Sequence, residues 1–115
     1  MNQHEIIEII TTTETEKEAD RIGRHLVREH LAACAQTSGP INSHYWWKGE
    51  LTTSKEWQCR VKTTVEMYPK VEKAITRIHS YEIPQILAVP VVYSLFSYET
   101  WLKAELHLDI GDSDH

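Results

Sequence analysis

The sequence predicts one α+β domain in which four strands and two helices follow the order β-α-β-β-α-β, with an extra helix at the C-terminal end. This order is typical of a ferredoxin-like sandwich. Three observations predict it: an isoleucine-rich segment near the start, two segments with apolar residues at helical spacing, and a polar–apolar alternation between them. The length of 115 residues suits a single domain over residues 1–115 with one core.

The first strand and the first helix are predicted near the start of the chain. Residues 5–13 contain adjacent isoleucines, which point to opposite faces of a strand, so both faces of this strand require burial. A helix is predicted over residues 16–31, because apolar residues recur there at helical intervals. Thr13 and Glu16 have the spacing of a capping box and would mark its start.

A hairpin is predicted in the middle of the chain. Its two arms are residues 41–48 and 56–65, and the connecting turn region, residues 49–54, is longer than two residues. The second arm shows the clearest alternation in the sequence. Five residues are expected to share its apolar face: Trp57, Cys59, Val61, Thr63 and Val65.

The second helix is predicted to begin at Tyr68-Pro69, since proline is favoured in the first turn of a helix, and to end near Ser80. Residues 86–94 then form a nearly continuous apolar strand. Because Pro90 has no N–H to donate to a neighbouring strand, this last strand is expected at a sheet edge or a bulge.

The third helix is predicted over residues 98–106, before an acidic tail at residues 109–115 that is predicted to be mobile. With about ten residues this helix covers roughly 15 Å, too little for the open face of a four-stranded sheet. That face should be polar, yet the first and last strands carry apolar residues on both sides, and Trp46 and Trp47 are adjacent. Such a surface predicts self-association, although the pattern alone does not choose the number of subunits.

The composition argues against several classes of function. A net charge of -5, with lysine and arginine scattered along the chain, argues against a nucleic-acid partner. No apolar stretch reaches 18 residues, so no membrane partner is expected, and Glu5 and Glu8 make the first segment a strand rather than a signal peptide. Two cysteines outside any CxxC pair suit the reducing cytoplasm. The sequence contains no Walker-type loop, GxSxG or HExxH, so no enzyme of these classes is predicted.

Three places in the sequence are candidates for a ligand. Cys59 lies on the apolar face of its strand, where a small buried hydrophobe is the favoured interpretation. Cys34 follows the first helix and could be buried or could act as a metal ligand. The segment His79-Ser80-Tyr81-Glu82 should form a loop after the second helix, where it could bind a cation or a polar ligand. The same histidine could instead interact only with the last carbonyls of the helix.

Several short motifs follow one another along the chain: Leu31-Ala32-Ala33-Cys34-Ala35, Gly39-Pro40-Ile41, Tyr45-Trp46-Trp47-Lys48-Gly49-Glu50, Lys62-Thr63, His79-Ser80-Tyr81-Glu82-Ile83-Pro84, and Tyr98 with Trp101-Leu102. In this order they resemble the motifs of the CutA divalent-cation tolerance family. The resemblance covers about residues 5–107.

The resemblance implies a ferredoxin-like subunit, a homotrimer in the cytoplasm, no enzymatic activity, and a role in tolerance to divalent cations, copper especially. It implies Cys34 and His79 as candidate metal ligands, with copper or another divalent metal ion as the bound species and no organic cofactor. It also assigns six residues to a cleft between subunits: Tyr45, Trp46, Glu50, Lys62, Tyr81 and Glu82. Gln85 departs from the family, in which glutamate often follows the proline, and so removes a carboxylate near any cation site there.

Weak metal binding in a trimeric protein is therefore the predicted function. The alternative is a signalling module like the trimeric PII proteins, which the family resembles in architecture, with a small molecule in the inter-subunit cleft and an unidentified protein partner. A third possibility is an enzyme that uses His79 and Glu82 as acid and base.

Overall fold

The computed structural model describes residues 5–106. The predicted acidic tail, residues 109–115, lies outside these described residues. The elements are β1 (Ile6–Thr13), α1 (Glu16–Arg28), β2 (Cys34–Trp47), β3 (Glu50–Thr64), α2 (Tyr68–Ile78), β4 (Ile86–Pro90) and α3 (Phe96–Glu105), with a short 3-10 turn at Val65–Met67. The predicted order of elements is confirmed. The four strands form one sheet in the order β2-β3-β1-β4, and every neighbouring pair is antiparallel.

β1 lies in the interior of the sheet, between β3 and β4. In its register Ile7 is opposite Thr63 and Ile9 is opposite Val61 on one face, while Ile6 and Ile10 point to the other face. All four isoleucines are buried, so the prediction that both faces of this strand require burial is confirmed.

The helices α1 and α2 cover one face of the sheet, which we call the helix face. The backbone of α1 approaches β2 and β3 closely at Gly23, where an added Cβ would lie 2.9 Å from the Cβ of Ala35 and 3.4 Å from the sulfur of Cys59. Any larger residue at Gly23 would therefore push α1 away from the sheet. Cys59 and Val61 are fully buried beneath the helices, as their alternation predicts.

α1 begins at Glu16, as predicted, but its N-cap and its last residue differ from those that the sequence suggests. Its N-cap is Thr15, whose side chain accepts a hydrogen bond from the backbone N–H of Glu18 at 3.1 Å, and not Thr13, which donates to the carbonyl of Thr15. The helix ends at Arg28, three residues before the predicted end. The reason is that His30 adopts a left-handed conformation, with φ of 59°, which is a common way to end a helix.

The predicted long loop of the hairpin is wrong. Trp47 pairs with Glu50, so the turn contains only Lys48 and Gly49, and residues 50–54 belong to β3. Both turn residues have positive φ, 52° and 81°, which is the geometry of a type I′ turn and is helped by glycine at the second position. Because β1 pairs with β3 only as far as Trp57, β2 and β3 continue past the sheet as a two-stranded arm.

β4 is an edge strand, as Pro90 predicts, but it ends at Pro90 rather than at Ser94. After it, the N–H of Val91 still bonds the carbonyl of Ile6 at 3.0 Å. The strand cannot continue because its partner β1 begins at Ile6. The chain then turns into α3, which begins at Phe96 on the other side of the sheet.

The face of the sheet opposite α1 and α2, which we call the open face, is covered only in part. α3 contacts it through Tyr98, whose hydroxyl lies 3.6 Å from the sulfur of Cys34. Leu102 of α3 is fully buried, whereas Trp101 remains 43% exposed. Among the described residues, no helix is long and apolar enough to cross a membrane.

Candidate functional site

His79 lies just after α2, in the loop that leads to β4, and its side chain is completely buried. Its Nε2 lies 2.8 Å from the carbonyl oxygen of Thr12, and its Nδ1 accepts the backbone N–H of Tyr81 at 3.0 Å. Since a carbonyl only accepts and an amide N–H only donates, these two bonds require a neutral ring with its proton on Nε2. Both nitrogens are therefore occupied, and a metal ion could reach either only by breaking one of these bonds.

Glu18 of α1 anchors the same loop. Its buried carboxylate accepts hydrogen bonds from the backbone N–H of Ser80 at 2.7 Å and from the Ser80 hydroxyl at 2.9 Å. Nδ1 of His79 lies 3.6 Å from the same carboxylate. Sequence reasoning missed Glu18, because a glutamate in the first turn of a helix is usually explained by the helix dipole. Its spacing from Thr15 is that of a capping box, but its side chain reaches the loop instead.

Tyr81 joins the loop to the arm. Its hydroxyl donates to the carboxylate of Glu56 at 2.8 Å, and its ring packs 4.9 Å from the ring of His79. Burial raises the pKa of Tyr81, and the bond to Glu56 and the charge of Glu56 raise this pKa further. Glu56 is itself buried. No pattern in the sequence signals this role of Glu56, since a glutamate at the predicted start of a strand looks like an ordinary surface residue.

Three of the predicted cleft residues lie on the arm. The Tyr45 hydroxyl lies 3.1 Å from the hydroxyl of Ser54, across the hairpin. Trp46 and Glu50 are exposed close to the turn. The fourth residue of the loop motif, Glu82, is exposed as well.

Cys34 and Lys62 lie opposite each other on the open face, at the start of β2 and near the end of β3. Lys62 bonds Gln36 at 2.8 Å and Glu8 at 3.2 Å. The half-buried thiol of Cys34 lies beside the hydroxyl of Tyr98. The pKa of Tyr98 is raised to about 12, first by burial and then by the hydrogen bond and charge of Cys34.

The structure does not bring the predicted residues together within one chain. Cys34 lies on the open face, whereas His79 packs with Glu18 of α1, so the two are separated by the sheet. Lys62 and Glu56, the partner of Tyr81, are six positions apart on β3, which is about 20 Å. Across residues 5–106, no group of three or more His, Cys, Asp or Glu side chains is arranged to hold a metal ion.

The comparisons with known proteins agree on one family. Residues 7–105 match the family described as CutA1 divalent ion tolerance protein. The chain is 37% identical to the divalent-cation tolerance protein CutA of Thermotoga maritima over 98 residues, which cover 85% of this chain and 96% of the relative. It is 34% identical to the protein of the same name from Thermus thermophilus, over 83% of this chain and 92% of the relative.

Solved structures lead to the same family. The crystal structure of CutA from Xylella fastidiosa superimposes with a TM-score of 0.86 at 31% identity, over 89% of this chain and 98% of that protein. The relatives' names cover more than one compartment, since the protein from Archaeoglobus fulgidus is called periplasmic and that from Oryza sativa chloroplastic.

Proposed function

The chain belongs to the CutA1 divalent ion tolerance protein family, and from this premise we propose that it contributes to tolerance of divalent cations, copper among them. In this proposal it acts as a cytoplasmic homotrimer that binds metal ions weakly and catalyses no reaction. The observation that carries the proposal is the half-buried Cys34 thiol on the open face, beside apolar surfaces that assembly would cover.

Assembly is supported by large apolar side chains that one chain leaves in water. Tyr93 and Phe96 are 92% and 81% exposed, far above what an isolated subunit of this size needs to leave uncovered. Two groups stand out, one on the arm and one around β4 and the segment after it: Trp46, Trp47 and Leu51; and Ile83, Leu87, Val89, Val92, Tyr93, Leu95 and Phe96. Each copy of the chain carries both groups, so copies that pack together would cover each other's apolar surface. The choice of three copies rests on the family.

The assembly proposal is tested by sedimentation equilibrium at micromolar concentration. The wild type should show three times the subunit mass of 13.4 kDa. Phe96→Lys should lower that mass, because it places a charge in the proposed interface without touching the core. Thr76→Lys adds the same charge on exposed α2 and should leave the mass unchanged. A wild-type monomer or dimer, or equal behaviour of the two variants, contradicts the proposal.

The metal proposal assigns the leading role to Cys34. A thiolate is a soft ligand that suits monovalent copper and zinc. The second candidate, His79, has both nitrogens occupied inside its own subunit. Because the two residues also lie on opposite sides of the sheet, they would share an ion only if His79 gave up one of these bonds and the ligands came from two copies. One thiolate with open coordination predicts modest affinity, and it predicts that folding does not require the metal.

Calorimetric titration with copper and zinc tests this assignment. Cys34→Ser should bind more weakly than the wild type, while Cys59→Ala, which changes the other and fully buried thiol, should bind as the wild type does. Binding should weaken as pH falls, because protons compete with the metal for the thiolate. A chelator should leave the oligomer intact. If Cys34→Ser binds as tightly as the wild type, the metal contacts other residues and the assignment is wrong.

A second candidate function is a PII-like signalling module with a small ligand between subunits and a protein partner. The observation that favours it is the buried Glu56 carboxylate where the loop meets the arm. One of the two carboxylate oxygens accepts a hydrogen bond from the Tyr81 hydroxyl. Lys62 lies about 20 Å along β3 from Glu56, the partner of Tyr81, so only neighbouring copies could gather all six predicted cleft residues. Glu56→Gln should abolish a thermal shift produced by such a ligand while leaving copper binding unchanged, and the reverse result would favour the metal proposal.

A further inference from the structure

Four cations form one row along α1: Lys17, Arg21, Arg24 and Arg28. Their intervals of four, three and four residues keep them on a single line of an α-helix, opposite the side that packs on the sheet. All four are exposed. In the sequence these charges look scattered, because acidic and apolar residues separate them, and only the helix gathers them. We call this line the α1 basic row.

The α1 basic row is largely unused within the chain. Within residues 5–106, Lys17, Arg24 and Arg28 form no ion pair. Arg21 has only long contacts, at 4.0 Å to Glu18 and 3.4 Å to the carbonyl of Ile78. The whole chain carries a net charge of -5 with 12 lysines and arginines, so a third of its cations stand in one line of a predominantly acidic protein. Such a row is a local centre of positive potential.

We propose that the α1 basic row binds an extended acidic segment of a partner protein. The row rises about 16 Å from its first to its last residue, with steps of about 4.5–6 Å. Side chains on one side of an extended peptide repeat every 6.6–6.8 Å or so, so three glutamates or aspartates span about 13 Å and fit within the length of the row. Three of the four cations are arginines, whose planar guanidinium matches the two oxygens of a carboxylate.

The surroundings of the row favour a narrow acidic peptide over other polyanions. Glu14 and Asp20 line the same shallow groove as the row, and their charges repel an anionic surface that is broad enough to cover the whole groove, such as a membrane or a duplex. α1 has no phenylalanine, tyrosine or tryptophan on which the bases of a single strand could stack. The overall negative charge of the chain also disfavours long polyanions.

The row is available in the assembly proposed above, and the inference does not depend on metal binding. It lies on the outer side of a helix that covers the helix face, whereas Cys34 and its partner Tyr98 lie on the open face. A partner could therefore occupy the row while copies of the chain pack through the arm and the segment after β4. The α1 basic row would thus serve as a docking surface that is separate from the proposed metal ligand.

The test uses the full-length protein and a fluorescent peptide of about twelve residues with glutamate at alternate positions. Fluorescence anisotropy at low salt should show binding that weakens as salt is added, because the contacts are charge pairs. Arg24→Gln with Arg28→Gln should weaken this binding roughly tenfold, which corresponds to about 1.4 kcal/mol. The matched control, Lys73→Gln with Arg77→Gln, removes two exposed cations at the same spacing from α2 and should change binding less than about twofold.

Three outcomes overturn the proposal. The first is no binding of the glutamate peptide by the wild type at low salt. The second is an equal loss in both double variants, which means that the net charge alone attracts the peptide. The third is a polyphosphate of equal charge that binds more tightly than the peptide with the same dependence on Arg24 and Arg28. Circular dichroism and sedimentation of both double variants should match the wild type, so a loss specific to the α1 basic row supports the proposal.

Discussion

His79→Ala separates a structural histidine from a metal ligand. The substitution removes a ring with no exposed surface and leaves two backbone groups, the carbonyl of Thr12 and the N–H of Tyr81, without their partners. An unpaired buried polar group costs about 1–3 kcal/mol. With two such groups and the cavity left by the ring, we expect the free energy of unfolding to fall by about 3–5 kcal/mol. If His79 were only a metal ligand, its replacement would cost the protein little stability in the absence of metal.

The assay is urea denaturation at one fixed protein concentration with a chelator present, because oligomers show concentration-dependent stability. His44→Ala is the matched control, since His44 is exposed and its ring bonds, within residues 5–106, only the hydroxyl of Thr53, at 2.9 Å. It should change stability by less than about 0.5 kcal/mol. His79→Gln should recover part of the loss, because its amide can donate to the carbonyl of Thr12. Equal urea midpoints for His79→Ala and His44→Ala would refute the structural role.

Two further predictions concern packing and titration. Gly39→Ala should lower the free energy of unfolding by about 2–4 kcal/mol, because at φ of 147° its Cβ would lie 2.7 Å from Cδ1 of Trp57. Gly49→Ala, at φ of 81° with no atom within 4 Å, should cost only about 1–2 kcal/mol, and equal urea curves would contradict the close contact. Burial, and after it the charge of Asp20, raises the pKa of Cys59 from 9.0 to about 12. The folded pKa exceeds the unfolded one, so this contribution to stability is complete below pH 9.0 and is lost as pH rises toward 12. Stability of Cys59→Ala should fall less steeply across this range, and identical slopes would show that the thiol is not protected.

The spacing of apolar residues predicted the order of the elements, because the need to bury one face imposes a repeating pattern along a whole helix or strand. The isoleucines of β1 and the alternation that includes Cys59 each report one face of an element, and each is buried as expected. Element ends were less predictable. The left-handed His30 and the two-residue turn at Lys48-Gly49 depend on single backbone conformations, which neighbouring residues do not specify. Gly49 in second position was the available signal for the turn.

The candidate site was less predictable than the fold, because its contacts join residues far apart in the chain. Glu18 and Ser80 are separated by 62 positions, and Glu56 and Tyr81 by 25. Neither glutamate lies in one of the family motifs, and each resembles a surface residue until the fold places it against the loop. The family resemblance identified the loop residue His79, but a motif does not distinguish a residue that binds a ligand from one that holds the loop.

The internal contacts of the loop after α2 determine which of its residues remain available to a ligand or a second copy. Both ring nitrogens of His79 form hydrogen bonds, and the Glu18 carboxylate binds Ser80. The Tyr81 hydroxyl donates a hydrogen bond to Glu56 of the arm. These bonds fasten the loop to β1, α1 and β3 at once, so it is held as a rigid connection. At the surface the loop leaves Glu82, Gln85 and the side chain of Ile83, which is 75% exposed. Recognition through this loop should therefore depend on Glu82, Ile83 and Gln85, while His79 acts by keeping them in place.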